Sequence, residues 1–286
     1  MDIIRNCREM QLRAESIRQE GRRIAFVPTM GYLHEGHLNL MREAKKLADE
    51  LVVSIFVNPT QFGPGEDYEK YPRDFERDEA LAKQEGVDII FYPSVDDMYP
   101  PGYQTYVTVE EVTRNLCGMS RPVHFRGVAT VCTKLFNIVK PHTAVFGKKD
   151  YQQLVTIRRM TADLNMDMEI VGVDITRESD GIAMSSRNAY LKQEEREAAL
   201  SLSRGLKIAK KLYDDGERGA SVIIRAVREY IESHEGTDID YVKICDAETL
   251  EDVETLERES VIALAVRVGL PRLIDNHVFG EPLIIP

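Results

Sequence analysis

Residues 51–57 constrain the fold more than any other stretch of the chain. They read Leu-Val-Val-Ser-Ile-Phe-Val, an almost unbroken apolar and β-branched run. A strand that is wet on one face alternates apolar with polar residues. A run like this one needs cover on both faces, as in a parallel sheet flanked by helices. Shorter apolar runs at 23–28, 87–92, 143–146 and 168–175 repeat the signal. Between the runs lie segments with helical character at 2–20, 36–50, 74–85, 125–139 and 151–164. The spacing of Val128, Cys132, Leu135, Phe136 and Val139 puts one apolar stripe along the fourth of these. Strand and helix alternating in this way predict an α/β fold, whose ligands bind beyond the carboxyl ends of the strands.

Near residue 177 the rhythm changes. Helical stretches at 193–213 and 220–233 precede strand-like segments at 241–245, 260–268 and 273–276, the last two flanking a Gly269-Leu270-Pro271 turn. The expectation is a Rossmann-like parallel-sheet domain over 1–177 and a smaller α+β domain, a candidate lid, over 178–286, with a hinge at Asp180-Gly181. A chain of 286 residues suits two unequal cores. Its net charge of −11 argues against general nucleic-acid binding, which needs a clustered basic face. Neither the opening Met1-Asp2-Ile3-Ile4-Arg5-Asn6 nor any apolar run reads as a secretory leader or a bilayer span. The four cysteines, Cys7, Cys117, Cys132 and Cys245, are scattered and form no CxxC pair. These features predict a cytoplasmic protein with free thiols and neither membrane nor nucleic acid as partner, Cys132 being a small core residue.

Four motifs fall at predicted strand ends. Residues 28–37, Pro-Thr-Met-Gly-Tyr-Leu-His-Glu-Gly-His, run from the first apolar strand into a helix. Gly31 and Gly36 permit close backbone approach, and the helix start presents unpaired N–H groups to an anion. His34 and His37, three apart, share a face of the first turn, where two imidazoles suit charge building on a phosphate. The competing readings are a pair of metal ligands, with no further His or Cys nearby to complete a zinc set, and a structural role for one ring. Gln61, in Val-Asn-Pro-Thr-Gln-Phe-Gly just past the next long strand, can hydrogen-bond a hydroxyl or carboxylate, though Asn-Pro and Phe-Gly are also ordinary turn pairs. Residues 63–71, rich in Gly, Pro and acidic residues, are a candidate flap. Residues 146–153, Phe-Gly-Lys-Lys-Asp-Tyr-Gln-Gln, again enter a helix from a strand. There Lys149 can neutralise phosphate oxygens, Asp150 can cap the helix or accept from a ribose, Gln153 lies one turn on, and Lys148 is expected to face solvent. Met184-Ser185-Ser186-Arg187-Asn188 offers hydroxyls, an amide and a guanidinium for a triphosphate, or a Ser-Ser helix cap.

The His34-x-Gly-His37 arrangement resembles the signature of the nucleotidyltransferase superfamily. The longer string Pro-Thr-Met-Gly-x-Leu-His-x-Gly-His is similar to the narrower pantothenate synthetase (pantoate–β-alanine ligase) family. The likeness is dense over residues 24–191 and looser towards the C-terminus. It implies ATP-dependent condensation of (R)-pantoate with β-alanine through a pantoyl-adenylate, releasing pyrophosphate and AMP, with Mg²⁺ accompanying ATP and no assigned protein ligands for the metal. By the same resemblance, Met30, Gly31, Tyr32, Leu33, His34, Glu35, Gly36 and His37 contact ATP. So do Gly147, Lys148, Lys149, Asp150, Met184, Ser185, Ser186 and Arg187, and Thr176 through its backbone. Gln61 and Gln153 hold pantoate. His37 as proton donor, His34 and Lys149 are the catalytic set, and a homodimer is the implied assembly.

The chain departs from the family pattern at Thr60, Val123 and Pro141-His142. His142 is expected on a surface turn, and His124 and Arg126 stay divided between pocket-shaping and structural roles. Three rivals remain. A nucleotidyltransferase stopping at a nucleotide-linked product leaves Gln61 and Gln153 without a purpose. A tRNA-charging enzyme needs an anticodon-reading domain and a basic surface. A non-catalytic nucleotide-binding module does not need both histidines and the lysine.

Overall fold

A six-stranded, all-parallel sheet organises the first part of the chain. The structure, a computed structural model, describes residues 1–286. In chain order the first elements are β1 (Asp2–Ile4), α1 (Cys7–Gln19), β2 (Ile24–Thr29), α2 (Glu35–Lys45), β3 (Glu50–Ile55), α3 (Phe75–Gln84) and β4 (Ile89–Phe91). Two single-turn helices follow, α4 (Val95–Met98) and α5 (Cys117–Ser120), then α6 (His124–Val139), β5 (Thr143–Gly147), α7 (Tyr151–Asp163) and β6 (Glu169–Val173). The strand order is β1-β4-β3-β2-β5-β6, so the winding reverses between β2 and β5. That reversal is where an open α/β sheet leaves a crevice at its carboxyl edge.

Both faces of this sheet are covered, which is why its strands read as continuous apolar runs. Ile24 and Phe26 of β2 join the core under α1 and α6, while Ala25 and Val27 join a second core with Leu38, Met41 and Ala44 of α2. Every residue of β3 is buried, including Glu50, which pairs with Arg22 at 2.7 Å. Cys132 is buried in the α6 face.

Two expectations need correction. The opening residues are not helical: Asp2–Ile4 form edge strand β1, paired in parallel with Ile89–Phe91 of β4. The helix starts only at Cys7 because Asn6 caps it, its side-chain oxygen accepting from the amides of Arg8 at 2.9 Å and Glu9 at 3.1 Å. His142 is not on a surface turn. It is half-buried at the amino ends of β2, β5 and β6, where its Nδ1 accepts from the Ile24 amide at 3.0 Å. Its own amide donates to the Ile24 carbonyl at 2.9 Å, and its carbonyl accepts from the Glu169 amide at 2.9 Å. This is the amino end of the sheet, opposite the carboxyl edge at which open α/β sheets bind ligands.

By internal contacts the chain divides into Met1–Lys148 with Gln153–Asp174, and Lys149–Gln152 with Ile175–Pro286. The second unit contains α8 (Arg196–Asp214), α9 (Ala220–Glu232), β7 (Thr237–Asp246), β8 (Ser260–Val268) and β9 (Arg272–Val278). Its strands form an antiparallel sheet in the order β7-β8-β9. Ile223, Val227 and Ile231, at four-residue spacing on α9, pack with Ile244, Ile262, Leu264 and Val266 into a separate core. The fold is thus α/β, a Rossmann-like parallel sheet with a smaller α+β unit. No helix is long and apolar enough to cross a membrane.

Candidate functional site

In the first unit the loop between β2 and α2 is shaped by its backbone. Gly31 and Tyr32 adopt left-handed φ values of 81° and 51° in succession. For tyrosine this costs about 1–2 kcal/mol, so something must hold it. The holder is Asp78 of α3, whose carboxylate accepts from the Tyr32 amide at 2.7 Å through Oδ2 and from the Leu33 amide at 2.7 Å through Oδ1. Asp78 is only 1 % exposed. Burial pushes its carboxyl above the ordinary range, and the two amides pull the other way. Because both oxygens accept, the ionised form is the one this geometry fits. Nothing local in the sequence marks Asp78: it looks like one more charge on a charged helix.

His34 follows at once as the N-cap of α2, and the two histidines close a reciprocal cap. The Gly36 amide donates to His34 Nδ1 at 3.2 Å, and the His34 amide donates to His37 Nδ1 at 3.4 Å. The rings lie 4.1 Å apart between centroids, tilted by 37°. With each Nδ1 accepting, the ring proton of the neutral tautomer sits on Nε2 in both cases. The structural role weighed for one ring therefore applies to both, through Nδ1. Glu35, on the first turn, pairs with Arg42.

Gln61 sits in a short 3₁₀ turn after β3, buried, with Nε2 2.9 Å from the Met30 sulfur and Oε1 accepting from Asn58 Nδ2 at 3.1 Å. The fold thus brings Gln61 to the end of β2. Asn58 also donates to the Gly127 carbonyl at 3.1 Å, and its Oδ1 accepts from the Tyr99 hydroxyl at 2.8 Å. A Cβ on Gly127 would lie 2.3 Å from the Thr60 carbonyl oxygen, so glycine is what lets α6 dock on this turn. His124 Nδ1 lies 3.0 Å from the Gln61 carbonyl, and Arg126 stacks on Tyr106. Arg121 forks onto Glu66, anchoring the 63–71 segment and holding the Glu66 carboxyl below its ordinary range. A cavity of about 420 Å³ opens beside the loop, lined among others by Met30, Gly31, Asp78, Arg5, Phe75 and Tyr92.

Gly147 ends β5, the strand beside β2 across the winding reversal. A Cβ there would meet nothing nearer than Leu40 at 3.9 Å, so packing within the chain does not demand glycine. Lys148 does not simply face solvent, as the sequence suggested. Its ammonium pairs with Asp174 at 2.8 Å, which draws the side chain along the sheet edge. Gln153 is half-buried on the first turn of α7.

The second unit carries the other candidates. The Lys149 carbonyl accepts from Asn276 Nδ2 of β9 at 2.9 Å, and its ammonium lies 3.9 Å from the exposed Asp150. Asp275, the preceding residue of β9, takes a bidentate pair from Arg177 at 2.7 and 3.0 Å, with side chains 2 and 4 % exposed. Arg177 bridges Ala183 in antiparallel fashion, and the Met184 amide donates to the Thr176 carbonyl at 2.9 Å. This small hairpin delivers Met184 and a 3₁₀ turn at Ser186–Tyr190. Ser185 caps that turn by accepting from the Arg187 amide at 3.2 Å. Asn188 donates to Glu178 and to the Ala183 carbonyl, closing the loop on its own stem.

A sequence profile of the family described as pantoate-beta-alanine ligase matches residues 2–278. Pantothenate synthetase of Syntrophus aciditrophicus strain SB is 67 % identical over 283 residues, covering 99 % of each chain. That of Thermotoga petrophila is 57 % identical over 280 residues, 98 % of this chain and all of the relative. Among solved structures, pantothenate synthetase from Thermus thermophilus superposes with a TM-score of 0.91 at 43 % identity, covering 97 % of this chain and 99 % of the other. Pantoate-beta-alanine ligase from Francisella tularensis, complexed with beta-gamma ATP and beta-alanine, gives 0.82 at 31 % identity over 99 % of this chain and all of the other. With a profile match along nearly its whole length and relatives this similar, the chain belongs to the pantoate–β-alanine ligase family.

Proposed function

We propose that the chain condenses (R)-pantoate with β-alanine through a pantoyl-adenylate. The observation that carries the reading is the histidine pair at the start of α2, its two Nδ1 atoms accepting from main-chain amides and its rings 4.1 Å apart. In the first step a pantoate carboxylate oxygen attacks the α-phosphorus of ATP, and the bond to the bridging oxygen of pyrophosphate breaks. His34 and His37 stabilise charge growing on the phosphate oxygens; the amides of His34, Gly36 and His37 at the helix start are already taken up within the chain. His37 is the assigned proton donor. Lys149 and Arg187 neutralise the departing pyrophosphate, and Ser185 and Ser186 donate hydrogen bonds to it. The rest of the 30–37 loop, with Gly147, Lys148, Asp150, Thr176 and Met184, makes the remaining ATP contacts.

In the second step the amine of β-alanine attacks the activated carbonyl. The carbonyl–phosphate bond breaks, AMP leaves and the amide forms. Gln61 and Gln153 hold pantoate by its hydroxyls and carboxylate, which is orientation rather than chemistry. The second unit and residues 63–71 act as lids that keep water from the adenylate.

Mg²⁺ accompanies ATP as part of the nucleotide substrate, on the hard phosphate oxygens it favours. We assign a homodimer and a cytoplasmic location, the first checked by sedimentation velocity and the second by fractionation. Pantoate-dependent exchange of labelled pyrophosphate into ATP, without β-alanine, tests the adenylate. Exchange that ignores pantoate would remove the two-step reading.

A further inference from the structure

Three features of the first unit fit together as one device. Gly31 and Tyr32 are left-handed in succession, which turns the amides of Tyr32 and Leu33 towards a single point, the kind of concavity that binds an anion. The anion is supplied from within the chain, the Asp78 carboxylate of α3, at 2.7 Å from each amide. Gly31 leaves room for it, since a Cβ there would lie 2.8 Å from Asp78 Oδ2. Leu33 is fully buried beside this contact, and His34, the next residue, sends its amide to His37 Nδ1. A displacement of the Tyr32–Leu33 backbone therefore reaches both imidazoles within one residue.

We propose that Asp78 is a positioning residue for adenylation, its carboxylate locking the Gly31–Leu33 backbone so that His34 and His37 are held in register for the nucleotide phosphates. The proposal rests on the role given above to the two histidines. Asp78 touches no reacting atom; it acts through the loop. An apolar residue at 78 would leave two converging amides without an acceptor, and an asparagine would turn an NH₂ group towards one of them.

The test is pantoate-dependent ATP–pyrophosphate exchange by Asp78→Asn, with activity normalised to the folded fraction measured by circular dichroism at the assay temperature. The expected result is a fall in exchange kcat of about 10- to 100-fold, the scale of a small misplacement of catalytic groups. The KM for ATP should move by less than about threefold. Introduced into His34→Ala/His37→Ala, the same substitution should cost nothing further, because the groups it positions are gone. Asp78→Glu, which keeps a carboxylate, should retain more kcat per folded molecule than Asp78→Asn. Should Asp78→Asn fail to fold, Asp78→Glu takes its place in the same cycle. Wild-type kcat in the variant, or an equal loss with and without the histidines, overturns the proposal alone. Wild-type exchange by His34→Ala/His37→Ala overturns the histidine reading and the proposal with it.

Discussion

Asn58→Ala probes how the pocket around Gln61 is held. Asn58 is 1 % exposed, and truncation at Cβ removes five hydrogen bonds, to Gln61 Oε1, the Gly127 carbonyl, the Thr60 amide and hydroxyl, and the Tyr99 hydroxyl. Counting each bond equally would mislead, because most partners keep an alternative. Gly127 lies inside α6, where its carbonyl retains the helical N–H of the next turn. The Thr60 and Tyr99 hydroxyls are 3.3 Å apart and can satisfy one another. Gln61 Oε1 is the group left orphaned in a buried site. One such orphan with the lost packing comes to about 2–4 kcal/mol, read as a lower urea midpoint at unchanged slope. In the variant that remains folded, the Gln61 side chain keeps only its contact with Met30. The KM for pantoate should then rise by about tenfold, equivalent to about 1.4 kcal/mol, while the KM for ATP stays near wild type. Steady-state AMP release against pantoate concentration reads both. A folded Asn58→Ala enzyme with an unchanged pantoate KM would refute the assignment of Gln61 as a pantoate contact oriented by Asn58.

Other outcomes follow from the same geometry. Asp275→Ala strands the buried Arg177 charge and should cost about 3–5 kcal/mol, whereas Arg177→Met/Asp275→Leu should recover most of it; equal urea midpoints for the two would contradict the reading. His277 is 5 % exposed, and burial, with Lys210 next in effect, depresses it to about 4. From pH 6.5 down to 4 the unfolded chain takes a proton that the folded one refuses. The stability from this group is thus complete above about pH 6.5 and falls by up to about 3 kcal/mol towards pH 4. His277→Leu should flatten that limb of a Tm-against-pH curve, since His277 Nε2 has no hydrogen-bond partner to lose. Lys149→Met should lower exchange kcat by about 100-fold or more, with a folded fraction like wild type by circular dichroism.

The parallel sheet was legible because strands buried on both faces cannot alternate, and 51–57 does not. Its edge strand was not: Asp2–Ile4 is three residues long and abuts a real helix, so only the Asn6 cap separates them. The antiparallel strands ran longer than their apolar centres, β7 reaching back to Thr237 through a bulge between Ile239 and Tyr241. The strand-end motifs stood out because glycine, histidine and lysine cluster where strands stop. What holds those motifs is invisible locally. Asp78 lies 45 residues from Leu33, and Asp275 lies 98 from Arg177. A carboxylate on a charged helix and one on a C-terminal strand carry no local sign of the partner the fold brings them. Asn58 was hidden differently, since Asn-Pro reads as a turn, and it is one, while its side chain also ties Gln61 to α6.

The most direct measurement of the central claim is AMP release from ATP and Mg²⁺ with (R)-pantoate and β-alanine, each substrate omitted in turn, for the wild type and His37→Ala. Sustained AMP formation that needs both substrates and collapses in the variant is the predicted result. ATP binding without turnover of any acid–amine pair, or turnover indifferent to His37, would contradict it.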